Sequence, residues 1–309
     1  MWRQCQCIAL LLIMATHGAA AEITRRSFQT SDKIALSFLE AGSERANNKN
    51  LTIALVPGWL MPAAIWRKQL DAFGQHYLTL ALDPRGQGES QVASAGYTAE
   101  RRATDLHEFL EPRSHVLLIG WSLGAIEALQ YIHMFGTARL SGLVLVDSSV
   151  GEEPAPGSGG TFKESLRADR DKTLHDFMHA IFAKPRSEKE LAELVRGAKR
   201  MTVENSVALL DYPYERAHWR SIARTFDKPF LYVVTPQFEQ QAVNLKKNRP
   251  ATQIEVFKKA GHALFADEPE RFNALIEKFA KRLSRFRGRS RNSSKKNCLR
   301  RTQTFLGAG

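Results

Sequence analysis

The chain has 309 residues, of which 43% are hydrophobic and 25% charged, and these proportions exclude a disordered or fibrous protein. Its length is sufficient for one sizeable buried core with an insertion. The net charge of +12 would favour a nucleic-acid-binding protein, but residues 281–301 alone hold ten Lys or Arg and no Asp or Glu. Without them the net charge is only about +2, so we expect the fold itself to need no nucleic acid.

The first 21 residues are typical of a secretory signal peptide. Arg3 supplies a positive charge, residues 8–15 form a short apolar run, and three alanines end at Ala21. The apolar run is too short to span a bilayer comfortably. We therefore predict cleavage after Ala21 and a secreted or periplasmic protein. Only Cys298 would remain in the mature chain, which excludes an intramolecular disulfide.

Residues 284–309 form a basic segment that is also rich in Ser and Asn, a composition typical of disorder. Such a tail can attract an anionic membrane surface, and we expect at most a weak association of this kind. A solvated extension without a specific partner is the simpler interpretation.

Between these ends, residues 26–42 predict two strands joined by a tight turn, and six apolar runs follow. Turn residues bound each run, as is typical of parallel strands buried on both faces. Helical patterns alternate with the runs, which predicts a doubly wound, mostly parallel α/β sheet. The runs are Leu51–Val56, Tyr77–Leu82, His115–Ile119, Leu143–Val146, Phe230–Val234 and Ile254–Phe257, and the helical stretches are Ala63–Phe73, Ala99–Phe109, Leu123–Met134 and Glu270–Leu283.

One interval contains no strand pattern. Residues 148–227 begin with a loop rich in Gly and Pro and continue with helical patterns such as LHDFMHAIF. We interpret this interval as a helical lid inserted between two parts of the core, residues 22–147 and 228–283.

The segment Gly120–Gly124 matches G-x-S-x-G, and it lies between a buried strand and a helix. In that context the motif predicts a tight turn that exposes the hydroxyl of Ser122 above the sheet. The helix that follows presents free N–H groups, which favour developing negative charge. We therefore predict that Ser122 is a nucleophile.

A serine nucleophile needs a base, and His262 lies in a loop between the last strand and the last helix. A histidine late in the chain completes the order serine, acid, histidine. The chain has nine histidines; the others lie on predicted helices, at strand starts or in the signal segment, so His262 is the predicted base.

Together, Pro57–Trp59, Asp83–Ser90, Gly120–Gly124 and Gly261-His262 resemble the α/β-hydrolase superfamily, over roughly residues 23–283 apart from the lid. Within it they are similar to the carboxylesterases that include the pimeloyl-carrier-protein methyl esterases. The resemblance implies an α/β-hydrolase fold. It also implies structural roles for Asp83 and Arg85.

The resemblance further implies an oxyanion hole formed by the backbone N–H groups of Trp59 and Leu123. This chain departs from most relatives in having Pro57-Gly58 where they have His-Gly. Proline removes a donor and an imidazole, but Trp59 keeps its own N–H. We also expect Trp59, Trp66 and Trp121 to shape an apolar pocket over the serine.

The acid that orients the histidine is the second departure. Relatives have an aspartate after the strand that corresponds to Phe230–Val234, whereas here Glu239 is the nearest carboxylate. Asp147, at the end of the preceding strand, is the alternative. We favour Asp147, because a strand end fixes a carboxylate better than a helix start does.

These residues predict a serine hydrolase that cleaves a carboxylic ester, with an apolar small-molecule substrate, through an acyl-enzyme. Serine-dependent C–C hydrolysis and perhydrolysis are alternatives within the same chemistry. A non-catalytic binding protein that retains the fold is the alternative from another class, prompted by Pro57 and the displaced acid. We expect no cofactor and no metal, because no nucleotide motif and no H-E-x-x-H run occurs.

Overall fold

The computed structural model describes residues 21–42, 51–157 and 161–283. Apolar and β-branched residues alternate or run continuously in eight segments, and these form one eight-stranded sheet. The strands are β1 (Ile23–Gln29), β2 (Ala35–Ala41), β3 (Thr52–Val56), β4 (Leu78–Leu82), β5 (Val116–Trp121), β6 (Leu140–Val146), β7 (Phe230–Val234) and β8 (Gln253–Val256).

The strands lie in the order β1-β2-β4-β3-β5-β6-β7-β8. β1 and β2 form the predicted hairpin, and β2 is antiparallel to β4. All later pairs are parallel. The prediction of a mostly parallel, doubly wound sheet is therefore confirmed.

Helices connect the strands and cover both faces of the sheet. The stretch predicted as one helix over Ala63–Phe73 begins with a 3₁₀ turn, Ala63–Trp66. The α-helices are α1 (Arg67–Phe73), α2 (Ala99–Leu110), α3 (Leu123–Phe135), α4 (Phe162–Ala168), α5 (Arg170–Ala180), α6 (Glu188–Ala198), α7 (Val203–Ala208), α8 (Arg216–Thr225), α9 (Glu239–Asn248), α10 (Leu264–Asp267) and α11 (269–283).

Successive residues of the central strands point to opposite faces, so each strand feeds two separate cores. Ile53 and Leu55 of β3 pack with α1 and α11, while Ala54 and Val56 pack with α2 and α3. The predicted burial of the last strand on both faces was wrong. β8 is only half buried along its length, because it is the edge strand and has a neighbour on one side only.

The interval predicted as a lid contains α4 to α8. Buried side chains of α4 to α7 belong to the same apolar cluster as Trp59, whereas Trp219 and Ile222 of α8 pack with α3 on the other face of the sheet. The boundaries of a lid domain remain a prediction.

Asp83 and Arg85 hold the loop after β4. Asp83 is fully buried, and its Oδ1 accepts a hydrogen bond from the Ala63 N–H at 2.6 Å. Arg85 is also buried and donates two hydrogen bonds to Asp105, at 2.8 and 2.9 Å. These contacts join the loop to the start of the 3₁₀ turn and to α2.

The predicted signal peptide, apart from Ala21, and the basic tail lie outside the described residues. Within the ranges described, no helix has the length and apolar character needed to cross a membrane.

Candidate active site

Ser122 lies at the turn between β5 and α3 in a backbone conformation that L-residues rarely adopt. Its φ is 55° and its ψ −118°. Such strain persists only where the surrounding structure enforces it, and it is concentrated at functional sites. The hydrogen bond from the Ser122 N–H to the Val146 carbonyl, 3.0 Å long, ties the turn to β6. The serine is thereby fixed at the carboxyl edge of the sheet.

The two glycines of G-x-S-x-G are required by close backbone contacts. A Cβ atom on Gly120 would lie 2.3 Å from the carbonyl oxygen of Gly124. A Cβ atom on Gly124 would lie 2.5 Å from the carbonyl oxygen of Val56. Real Cβ atoms are not found this close to a carbonyl oxygen, so only glycine allows α3 to start directly behind the serine.

Replacing Gly124 with Ala is expected to destabilise the protein by about 3 kcal/mol, because the added methyl group meets backbone that cannot move aside. Urea unfolding measures the change. Gly197→Ala is the matched control, since Gly197 lies in α6 with open space around it. That variant should gain up to about 1 kcal/mol from helix propensity. Equal stabilities for the two variants would contradict the close-packed turn.

The structure brings Ser122, His262 and Asp147 together in one hydrogen-bonded row. Ser122 Oγ lies 2.9 Å from His262 Nε2, and His262 Nδ1 lies 2.8 Å from Asp147 Oδ2. Asp147 is fully buried, while the histidine side chain is 25% exposed. A proton on Nδ1, donated to the carboxylate, leaves Nε2 free to accept the serine proton.

Asp147 is held from the far side by a residue that the sequence did not identify. Its Oδ1 accepts hydrogen bonds from the N–H and the hydroxyl of Thr235, at 2.6 and 2.8 Å. Thr235 directly follows β7, the strand after which relatives have their acid. Asp147 also has a positive φ of 43°. Both ring nitrogens of His262 are engaged by Ser122 and Asp147, so Glu239, on α9, is not its hydrogen-bond partner.

The loop that carries His262 is anchored by Asp267, a second residue that sequence reasoning missed. The buried Asp267 carboxylate accepts hydrogen bonds from the N–H groups of Gly261 and Ala183, both 2.8 Å long. The His262 carbonyl in turn accepts a hydrogen bond of 2.9 Å from the Trp121 indole. These contacts connect the histidine loop to β5 and to the segment after α5.

The two residues predicted to supply the oxyanion donors both lie at the cleft that contains Ser122. Trp59 and Leu123 line the same cleft as Ser122, and a Cβ on Gly58 would lie 3.1 Å from the Cβ of Ser122. Within the described ranges, neither the Trp59 N–H nor the Leu123 N–H donates a hydrogen bond to another group of the protein. Both donors are therefore free to receive an oxygen atom.

A buried polar chain supports the loop that carries Trp59. The Gln87 amide donates hydrogen bonds to the carbonyls of Gly58 and Met61, at 3.1 and 2.9 Å. Arg102 Nη2 lies 3.4 Å from the Gln87 Oε1 and 2.6 Å from the Glu127 carboxylate. Gln87 belongs to the Asp83–Ser90 motif, but the contact to Gly58 depends on tertiary structure.

A cleft of about 1030 Å³ opens at Ser122. Its walls are predominantly apolar and aromatic, and they include Tyr97, Ile126, Leu210, Tyr212, Tyr214 and Trp219. Of the three tryptophans expected to shape this pocket, only Trp59 lines it. The prediction was wrong for Trp66 and Trp121, which are buried in the core, where both contact the Phe265 ring.

One group of His, Asp or Glu side chains in the described part of the chain is close enough to share a metal ion. It includes none of the residues of this cleft.

The chain is similar to known proteins in sequence and in fold. A model described as the alpha/beta hydrolase family matches residues 53–275. The pimeloyl-acyl-carrier-protein methyl ester esterase of Yersinia enterocolitica is 26% identical over 244 residues, which cover 74% of this chain and 92% of the relative. The family match includes the strand–turn–helix around Ser122.

Two solved structures share the fold. An esterase from Exiguobacterium antarcticum has a TM-score of 0.70 at 21% identity and covers 82% of this chain and 98% of its own. A bromoperoxidase from Bacillus anthracis has a TM-score of 0.74 at 21% identity and covers 84% of this chain and 100% of its own. At such identities the likeness concerns the fold alone.

Proposed function

Because the chain belongs to the α/β-hydrolase family, we propose that it hydrolyses carboxylic esters with Ser122 as the nucleophile. His262 is the general base, Asp147 orients it, and an acyl-enzyme is the intermediate. Sequence relatives that are esterases support an enzyme of this class.

The observation that carries the proposal is the row of hydrogen bonds from Ser122 through His262 to Asp147. A serine hydroxyl becomes an effective nucleophile only when an adjacent base accepts its proton. A buried carboxylate then keeps the imidazole in the tautomer that can do so. A non-catalytic protein would not need these three side chains, 115 and 140 residues apart, to be aligned.

The proposed reaction proceeds in two matched halves. His262 takes the proton of Ser122 while the hydroxyl oxygen attacks the ester carbonyl. The N–H groups of Trp59 and Leu123 hold the negative oxygen of the tetrahedral intermediate, and His262 protonates the departing alkoxide. Water then attacks the acyl-enzyme by the same route and releases the acid.

The cleft indicates the class of ester. Its aromatic walls favour an apolar acyl or alcohol group, because such groups gain most from leaving water. A volume of about 1030 Å³ exceeds that of a short acyl group, so we infer a medium-sized substrate. The name of the Yersinia relative is consistent with an acyl chain of this kind.

Labelling with a fluorophosphonate, read by intact mass, tests the proposal. We expect one adduct on the wild-type protein and none on Ser122→Ala. A p-nitrophenyl ester series should show the same dependence on Ser122. A folded wild-type protein that takes up no label would contradict the proposal and would favour the non-catalytic binding protein. A protein that takes up the label but hydrolyses none of the esters would favour the C–C hydrolase or perhydrolase alternative.

Gln87 is expected to affect the reaction through the loop that carries Trp59. In Gln87→Leu the carbonyls of Gly58 and Met61 lose their donor, so the Trp59 N–H is no longer fixed. A displaced donor of this kind costs about 10- to 100-fold in kcat. The KM should change much less, because the cleft walls remain.

The kcat values are normalised by titrating active serines with the fluorophosphonate, which corrects for any unfolded fraction. Gln91→Leu is the matched control, since the exposed Gln91 accepts a hydrogen bond from Ala35 rather than from the loop. A Gln87→Leu enzyme with unchanged kcat would show that the loop keeps its position without this side chain.

A further inference from the structure

Three side chains of metal-ligand type meet on α5 and α6, outside the cleft. His175 and His179 are one turn apart on α5, and Glu188 is the first residue of α6. One ligand atom of each lies within 4.8 Å of the others. All three side chains are exposed to solvent. The H-E-x-x-H pattern requires a glutamate after its first histidine, so it does not detect this pair.

We propose that His175, His179 and Glu188 bind a divalent transition-metal ion of the zinc class, which joins α5 to α6. The Nε2 atoms of the two histidines are 3.2 Å apart. Zinc binds imidazole nitrogen at about 2.0–2.1 Å, so two ligands at a tetrahedral angle lie about 3.3 Å apart. The two rings therefore already have the separation that a shared zinc ion requires.

A hydrogen bond between the two imidazoles would give a similar distance between their Nε2 atoms. It would not account for the position of Glu188 beside the pair. The carboxylate comes from another helix and lies beside the pair, where it supplies a third ligand. Two imidazoles and one carboxylate suit zinc and its neighbours, with a fourth position left for water. Magnesium and calcium prefer sites made of oxygen alone.

Asp176 lies near the second ring nitrogen of His175, the one that would not bind the ion. His175 Nδ1 lies 3.7 Å from Asp176 Oδ1. Metal-bound histidines commonly donate their other N–H to a carboxylate, which fixes the ring and raises its basicity. Lys172 forms an ion pair with the same carboxylate.

The ion would stabilise the helix that packs against Trp59. Phe177 lies about 200° around α5 from His175, so the two residues are on opposite sides of the helix. The Phe177 ring packs edge-on against Trp59, with ring centroids 5.2 Å apart. Tying α5 to α6 thus restrains a helix that contacts Trp59, one of the residues lining the cleft. Zinc is expected to raise the Tm of the full chain, and this effect does not depend on the proposed activity.

The test is isothermal titration of zinc chloride into the full-length protein, prepared without a histidine tag and stripped of metal. We expect one ion per chain, with magnesium chloride giving no heat. His179→Ala and Glu188→Gln should lose this binding and the rise in Tm. Asp176→Asn should weaken it by roughly 10-fold.

His218→Ala is the matched control, because His218 and His133 also form a close pair, with ring centroids 4.7 Å apart. That variant, and Cys298→Ser, should bind zinc as the wild type does. Unchanged binding by His179→Ala would overturn the proposal, as would the absence of binding by the wild type. Because the three side chains are exposed, the variants are expected to fold, which circular dichroism checks.

Discussion

Replacing Asp147 with Asn is expected to lower kcat for ester hydrolysis by about 10⁴-fold while the fold stays intact. Both donors of Thr235 point at Oδ1 of this side chain. The amide oxygen of the substituted side chain must therefore take that position, and its NH₂ group must face His262. The imidazole then carries its proton on Nε2, which can no longer accept the proton of Ser122. Steady-state kinetics on a p-nitrophenyl ester measure the loss.

Glu239→Gln is the matched control for this prediction, because it removes the other candidate acid by an equally small change. Its kcat should stay within about twofold of the wild type, since the half-buried Glu239 is not a hydrogen-bond partner of His262. The reverse result, with Glu239→Gln inactive and Asp147→Asn active, would assign the acid to α9.

The second large effect is expected at Arg102. This side chain and that of Glu127 are almost completely buried, at 2% and 4% exposed, and they form an ion pair between α2 and α3. In Arg102→Met the carboxylate stays buried without its cation. Removal of one partner from a buried pair costs about 3–5 kcal/mol. Urea unfolding at pH 8 measures the change in the free energy of unfolding.

The same variant should respond to pH in a defined direction. Burial raises the pKa of Glu127 from 4.5 to about 7, against the opposing attraction of Arg102. The folded state thus binds a proton more tightly than the unfolded state, and stability falls as the pH rises from about 4.5 to about 7. Without Arg102 the folded pKa rises further, so this decline becomes larger. Arg102→Met should therefore lose less stability at pH 5 than at pH 8.

Two further variants separate the buried pair from ion pairs in general. Arg102→Met combined with Glu127→Leu should recover most of the loss, because no buried charge remains. Arg271→Met breaks an ion pair whose side chains are 42% and 37% exposed, and it should cost less than about 1 kcal/mol. If Arg102→Met unfolds with the same midpoint at both pH values, Glu127 does not titrate as described.

The sheet and the serine turn were predictable from sequence because their causes are local. An apolar run bounded by turn residues specifies a strand buried on both faces, and Gly120 and Gly124 specify a turn that admits no Cβ. His262 could be predicted because the loop between the last strand and the last helix contains a single histidine. The partial burial of β8 could not be predicted, since a sequence does not state which strand lies at the edge of the sheet.

The choice between Asp147 and Glu239 had to remain open, because it depends on which strand end approaches His262. Thr235, Asp267 and Gln87 were not identified for a related reason. Each makes at least one of its contacts with a group that is distant in sequence, 88 residues away for Thr235 and Asp147, 84 for Asp267 and Ala183, and 29 for Gln87 and Gly58. No local pattern marks such a residue. A polar residue directly after β7, at the position of the missing acid, was the one available signal.

The separation of Ser122 and His262 by 140 residues also determines when the site can exist. The serine turn lies in the middle of the sheet, but its base follows β8, and Phe272 and Ile276 of α11 complete the core behind it. We expect contacts this distant to form late in folding, because closing long loops costs entropy. A partly synthesised chain therefore carries Ser122 as an ordinary serine. During refolding, the return of fluorophosphonate reactivity should follow sheet assembly and mark its completion.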